Sequence, residues 1–225
     1  MSLPLSLFPI KTTPLSDSLP PILQSNKTTA LSLTFSTVIR CTSTGYRALI
    51  FTNVDVVELY GITFTNCADT VSGTGGGAVY ASIGTSLNIT ACKFTHNTGK
   101  KGGALSVGTN TTNSASSLYI RDSIFDSNTA ASSSAGALFT SMINTDIRNT
   151  SFTNNLAFSG GGAMSIYWET ATGFPFNVTI TDSVISGNKA NTSGGGIYTY
   201  NLNPMLGLKL VNTAVSQNTL YASSL

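Results

Sequence analysis

The sequence predicts an all-β chain, a right-handed parallel β-helix of about six coils of roughly 30 residues with three short strands in each coil. The first observation behind this is a Gly-Gly-Ala-aliphatic tetrapeptide, or a close relative, at Gly76–Val79, Gly102–Leu105, Ala135–Leu138, Gly161–Met164 and Gly194–Ile197. The second is a hydrophobic-x-x-Asn motif that begins at Phe64, Phe94, Phe125, Phe152, Ile185 and Val215 and closes on Cys67, Asn97, Asn128, Asn155, Asn188 and Asn218. The third is that no segment shows a helical period, which fits poorly with helix-containing repeats of similar length.

The elements follow from aligning the coils on the second motif. Five residues ahead of it stand Leu59, Ile89, Ile120, Ile147, Ile180 and Leu210, and seven ahead stand Val57, Leu87, Leu118, Thr145, Val178 and Leu208. An apolar pair at i and i+2 describes a short strand with one buried face. The step of five to the next apolar residue breaks the strand parity, so the chain must bend between them. It does so at Asp122-Ser123, Asn149-Thr150, Asp182-Ser183 and Asn212-Thr213, pairs suited to hydrogen-bonding their own backbone in a turn. A second strand carries Phe64, Phe94, Phe125 and Phe152, whose rings are expected to stack in register, and an Asn corner follows. Coils about 4.8 Å apart would let Asn97, Asn128, Asn155, Asn188 and Asn218 bond amide to amide up the stack. A third strand starts at the Gly-Gly-Ala corner, where glycine permits positive φ or a close approach of stacked backbones. Right-handedness is the expectation for parallel strands joined by crossovers.

Residues 1–30 read as an irregular leading segment, and 31–225 as the β-helix, part of a longer solenoid. Residues 31–56 look like one or two worn coils, while the coil starting at Leu208 stops before its Gly-Gly-Ala, so further coils or a cap are expected on the open ends. Only 9% of residues are charged, yet 41% are hydrophobic and recur at fixed offsets, which argues against disorder. The net charge of +2 comes without any basic run, so nucleic acid is not an expected partner. No apolar stretch is long enough for a transmembrane segment, and no secretion signal is visible at the N-terminus. Six N-x-Ser/Thr sequons begin at Asn26, Asn88, Asn110, Asn149, Asn177 and Asn191. About five are expected by chance in so Asn-, Ser- and Thr-rich a chain, so they say little about secretion. The three cysteines, Cys41, Cys67 and Cys92, cannot all pair. Cys67 and Cys92 sit in different columns, which disfavours a bridge between them; Cys92 shares its column with Ser123 and Thr150 and reads as a small buried thiol. A Cys41–Cys67 bridge stays open at this point.

Phe-x-x-Asn at Phe94–Asn97, Phe125–Asn128 and Phe152–Asn155, recurring in register with Gly-Gly-Ala, resembles the repeat of the polymorphic outer membrane proteins. Those repeats are grouped with the pectin-lyase-like right-handed β-helix superfamily, and the resemblance covers about residues 55–220. It departs from the pattern at Cys67, Ile185, Val215 and Gly196. The resemblance implies an extracellular or cell-surface protein, outer membrane-associated if bacterial. It also implies a non-enzymatic scaffold for adhesion, matrix building or protein assembly, with protein or glycan at the cell surface as partner.

The same superfamily makes a carbohydrate-active enzyme or glycan-binding module, with its key residues outside this segment, the alternative. The residues supply little for catalysis. Asn144-Thr145-Asp146 is matched by no Asp-Asp pair or Gly-His-Gly, and the sole histidine, His96, is expected on the surface beside a ladder Asn. Asp122 and Asp182 share a column two coils apart, about 10 Å, too far to share one metal ion even with Asp126 nearby. No catalytic residue, metal site or cofactor is therefore assigned. The candidate binding residues lie in the long loop after the fourth Gly-Gly-Ala copy: Tyr167, Trp168, Glu169, Phe174 and Phe176. Insertions on one side of a repeat stack often form its binding face, although these rings could equally fold back over the coil edge.

Overall fold

A computed structural model describes residues 24–25, 31–34, 38–41, 45, 47–52, 54–69, 75–82, 86–108, 117–168, 176–201 and 207–221. Among these residues there is no helix, and every strand pairing is parallel. The chain is a β-solenoid. The predicted strands are present, and a further strand of only two residues follows each ladder Asn, for example Thr98–Gly99 and Thr129–Ala130. Each coil therefore contributes to four sheets rather than three.

Five coils carry all four strands among the described residues, the first running from Val56–Tyr60 through Thr63–Thr65 and Ala68–Asp69 to Val79–Ser82. Residues 31–51 add three strands on one side of them and residues 207–220 add three on the other. We number the sheets by their order in the coil. The first holds Ser86–Thr90 and its equivalents, the second Lys93–Thr95, the third Thr98–Gly99 and the fourth Leu105–Gly108. The ladder Asn residues of successive coils are 31, 27, 33 and 30 residues apart, yet the register never slips.

The corners explain how register survives unequal coil lengths. The residue three before each motif Phe is left-handed, with φ of 70° at Gly61, 53° at Ala91, 51° at Asp122, 45° at Asn149, 51° at Asp182 and 46° at Asn212. So is the residue just before each ladder position, with φ between 54° and 68° at Asn66, His96, Ser127, Asn154, Gly187 and Gln217. A single residue in this region turns the chain sharply and flips the side-chain parity, which is the break the five-residue step required. The two glycines of Gly-Gly-Ala do different work. The first, as at Gly102 (φ 63°), is the third left-handed corner, a position Ala135 fills at φ 69°. The second makes a close approach: a Cβ on Gly103 would run into the backbone of Gly136 and Thr129 in the next coil. That contact presses the corner against the two-residue strands of the third sheet, whose inward residues are the small Ala130, Ala157 and Ala190.

The core is a set of columns. Phe64, Phe94, Phe125 and Phe152 are fully buried and stacked, with ring centroids 4.9, 4.6 and 4.8 Å apart. Each such ring pair contributes about 0.5–1.5 kcal/mol beyond its area burial. Leu59, Ile89, Ile120, Ile147 and Ile180 form a second apolar column, and the alanines Ala78, Ala104, Ala137 and Ala163 a third.

Candidate functional site

An unspent polar group inside the coil would mark chemistry, and the buried polar residues leave none in the ladder. Asn97, Asn128, Asn155 and Asn188 have no exposed surface. The Oδ1 of Asn128 accepts from both the backbone N–H and the Nδ2 of Asn97, each at 3.0 Å. Its Nδ2 donates to the Phe94 carbonyl at 2.9 Å and to Asn155 Oδ1 at 3.0 Å. All four bonding valences of the amide are thus used, and Asn155 and Asn188 repeat the pattern up to Asn218. A parallel ladder runs through the first bend, where Ser123, Thr150 and Ser183 each donate to the carbonyl two residues back and Ser123 and Ser183 accept from the N–H of the preceding coil.

Cys92 takes one place in that hydroxyl column. It is buried and unpaired, its thiol contacts the carbonyls of Thr90 and Leu59, and burial pushes its pKa up, so it is a poor nucleophile. Cys67 takes the ladder Asn position and is joined to Cys41 by a disulfide, Cα atoms 4.7 Å apart. The bridge begins where the ladder stops, since Cys67 N–H still donates to Asn97 Oδ1 at 3.0 Å. Beside it, Arg47 stands where later coils have the second glycine, and Asp69 where they have Gly99 or Ala130. The two form a buried ion pair, and the guanidinium also lies over the Tyr80 ring, 4.9 Å from its centroid. Burial lowers the Arg47 pKa to about 10, which leaves it charged at neutral pH.

The acidic residues read from the sequence lie apart and are held by local partners. Asp122 accepts from Asn149 Nδ2 at 2.7 Å and Asp182 from Asn212 Nδ2 at 2.6 Å, an alternating Asp/Asn row on the outer surface. Asp126 accepts from Thr153, Asn154 and Ser127 at 2.6, 2.9 and 2.9 Å. Burial raises its pKa, but these hydrogen bonds and the nearby His96 outweigh it and hold the carboxyl below its usual range. Asp146, of the Asn-Thr-Asp tripeptide, is engaged by Arg148 at 3.0 and 2.9 Å. His96 is exposed at a left-handed corner. Among the described residues no three His, Cys, Asp or Glu side chains gather at one point.

Of the five loop residues, Glu169 and Phe174 lie outside the described residues, as does the side chain of Trp168, the last residue of the strand Met164–Trp168. Tyr167 is half-buried on the outside of the fourth sheet, stacked on Tyr200 at 4.9 Å and tilted against Phe139 at 6.1 Å. Phe176 is buried against Met142 and offers no exposed ring face. The structure therefore groups Tyr167 with Phe139 and Tyr200, two rings the loop-centred reading did not include. Tyr167 and Tyr200 share one fourth-strand column, opposite Ser141, whereas Phe139 lies two residues earlier, opposite Ser165. No helix among the described residues is long and apolar enough to cross a membrane.

Comparison with known families matches residues 182–200 to the Chlamydia polymorphic membrane protein repeat. No curated protein and no solved structure gave a significant match. The matched segment runs from the left-handed Asp182 through Ile185 and the ladder residue Asn188 to the Gly194–Ile197 corner, the same succession of columns that the neighbouring coils repeat. The chain is a parallel β-solenoid that carries a repeat of the polymorphic membrane protein type.

Proposed function

We propose that the chain is a non-enzymatic scaffold at the cell surface or outside the cell, serving adhesion, matrix building or assembly with other proteins. The observation that carries this reading is the sameness of the columns. From the Ser86–Thr90 coil onward the ladder groups are Asn and Ser/Thr residues whose valences are used in holding the next coil, and the one departure, the buried Arg47–Asp69 pair, is neutralised within itself. The Cys41–Cys67 bridge supports an oxidising, extracytoplasmic setting, and the repeat match supports a surface or outer-membrane one. Two surfaces are suited to partners. One is the ring cluster of Tyr167, Tyr200 and Phe139, with Trp168 next in the same strand, for protein or glycan. The other is the coil edge at 207–220, where Leu208, Leu210 and Val215 are exposed in columns that are buried elsewhere, a surface complementary to a further coil.

The test is to immobilise the folded chain, measure cell adherence, and incubate the same preparation with neutral and acidic polysaccharides. Adherence without new chain ends in the polysaccharide is expected. Depolymerisation would overturn the scaffold reading. Substituting Trp168→Ala and Tyr167→Ala should lower adherence at unchanged melting temperature; a loss of stability alone would mean that these rings only cover the coil.

A further inference from the structure

The outer face of the first sheet carries an open trough of about 560 Å³, formed mainly by three consecutive coils with Ser32 of the coil before them at its rim. Its layout follows from register. Glu58 pairs with Asn88 and Asn88 with Tyr119, while Tyr60 pairs with Thr90 and Thr90 with Arg121. All six lie at outward positions of alternating strands and line the trough. The middle coil supplies the short Asn88 and Thr90 as a floor. The flanking coils place Tyr60 and Tyr119, 53% and 40% exposed, at opposite corners as walls. Two coil spacings separate those rings, about 10 Å along the axis.

These side chains are unspent. Among the described residues Glu58, Tyr60, Tyr119 and Arg121 make no side-chain hydrogen bond, ion pair or ring contact. On the next coil the equivalent residues Asp146 and Arg148 neutralise each other. A site with two free rings, one free carboxylate, one free guanidinium and a hydroxyl- and amide-bearing floor has the donors and acceptors of a binding surface. Glu58 and Arg121 balance in charge, which disfavours a polyanion. All three strands are paired on both sides, so a peptide cannot add as a strand. Tyrosine faces attract the partly positive C–H groups of a sugar ring through their quadrupole, and its hydroxyls can exchange hydrogen bonds with Asn88, Thr90, Glu58 and Arg121.

We propose that this trough binds a short neutral oligosaccharide, one sugar ring stacked on Tyr60 and another on Tyr119. Asn88-Ile89-Thr90 is also a sequon, so the sugar can come from a separate glycan or from one attached to Asn88. The site is on a different sheet from the Tyr167 cluster and does not depend on the scaffold role, because sugar binding and cell adherence are separate readouts. The experiment uses the full chain from two hosts. From a host without N-glycosylation, it is titrated with chitotetraose, maltotetraose and tetragalacturonate. Saturable binding of a neutral tetrasaccharide is expected, weakened at least tenfold by Tyr60→Ala and by Tyr119→Ala with the melting temperature unchanged. From a glycosylating host, mass spectrometry reads occupancy at Asn88 and an endoglycosidase reads protection of that glycan. Faster release in the two tyrosine variants identifies the attached sugar as the occupant. Tighter binding of tetragalacturonate than of either neutral sugar, or no effect of the tyrosines in either arm, overturns the proposal.

Discussion

At the scale of single residues, the ladder asparagines carry a disproportionate share of the order. Removing the Asn128 side chain strands the N–H of Asn97 and takes a donor from the carbonyl of Phe94 in the dry interior, while Asn155 Oδ1 keeps the Asn128 N–H. Each unsatisfied group costs about 1–3 kcal/mol, so Asn128→Ala should lower stability by at least about 2 kcal/mol in a denaturant titration. Ala135 presents the opposite case, since it holds a left-handed φ of 69° where four other coils use glycine. Relief of that strain outweighs the added freedom of the unfolded chain, and Ala135→Gly should raise stability by about 0.5–1 kcal/mol. Asp126 makes stability pH-dependent in a defined sense. Its folded pKa is depressed, so its contribution is complete above the unfolded carboxylate value near 4 and is lost as pH falls from there through the folded value. Asp126→Asn should therefore flatten the fall in melting temperature between about pH 4 and pH 2 relative to the parent chain.

At the scale of elements, the coil around Cys41 and Arg47 is fastened differently from the rest. A bridge closing a loop of 26 residues and a buried ion pair stand where the other coils have an amide ladder and a glycine–alanine contact. Breaking the bridge should cost about 2–4 kcal/mol, read as a lower melting temperature under reductant. The double variant Cys41→Ser with Cys67→Asn should recover part of the loss of Cys41→Ser with Cys67→Ser, because an amide at 67 can bond to Asn97 as the other ladder members do. Much of the regular coil was legible in the sequence: the apolar pair of the first strand, the parity break at Asp122-Ser123 and the Phe and Asn columns are local patterns. The two-residue strands were not, because Thr98–Gly99 is too short to show any period and pairs only through neighbouring coils. Arg47 and Asp69 were also missed, for their partnership joins two different columns 22 residues apart and has no repeat to announce it. Tyr60 and Tyr119 alternate with core residues and so looked like ordinary outward positions; only the register of three coils brings them to one trough.

At the scale of the whole molecule, stability is a sum over coil interfaces, each coil touching only its neighbours. The interfaces joined by Phe-on-Phe stacking lie between Phe64 and Phe152, whereas beyond them Ile185 and Val215 fill the column with smaller side chains. Amide exchange should accordingly be slowest in Lys93–Thr95, Ile124–Asp126 and Ser151–Thr153 and fastest in Ala214–Ser216, as read by hydrogen–deuterium exchange with mass spectrometry. Uniform protection along the chain would show that the column contents do not set the local free energy.

The parallel register has a mechanical consequence. The hydrogen bonds of every sheet point along the solenoid axis, so a pull applied to its two ends loads the coil interfaces in series, each bearing the same tension. Rupture then begins at the interface with the least to lose, the one between the Ile185 and Val215 coils, while the covalent Cys41–Cys67 tie keeps the two coils it joins together. Under load the coils would part in the order set by their column contents, as a fuse rather than as a chain with a random weak link.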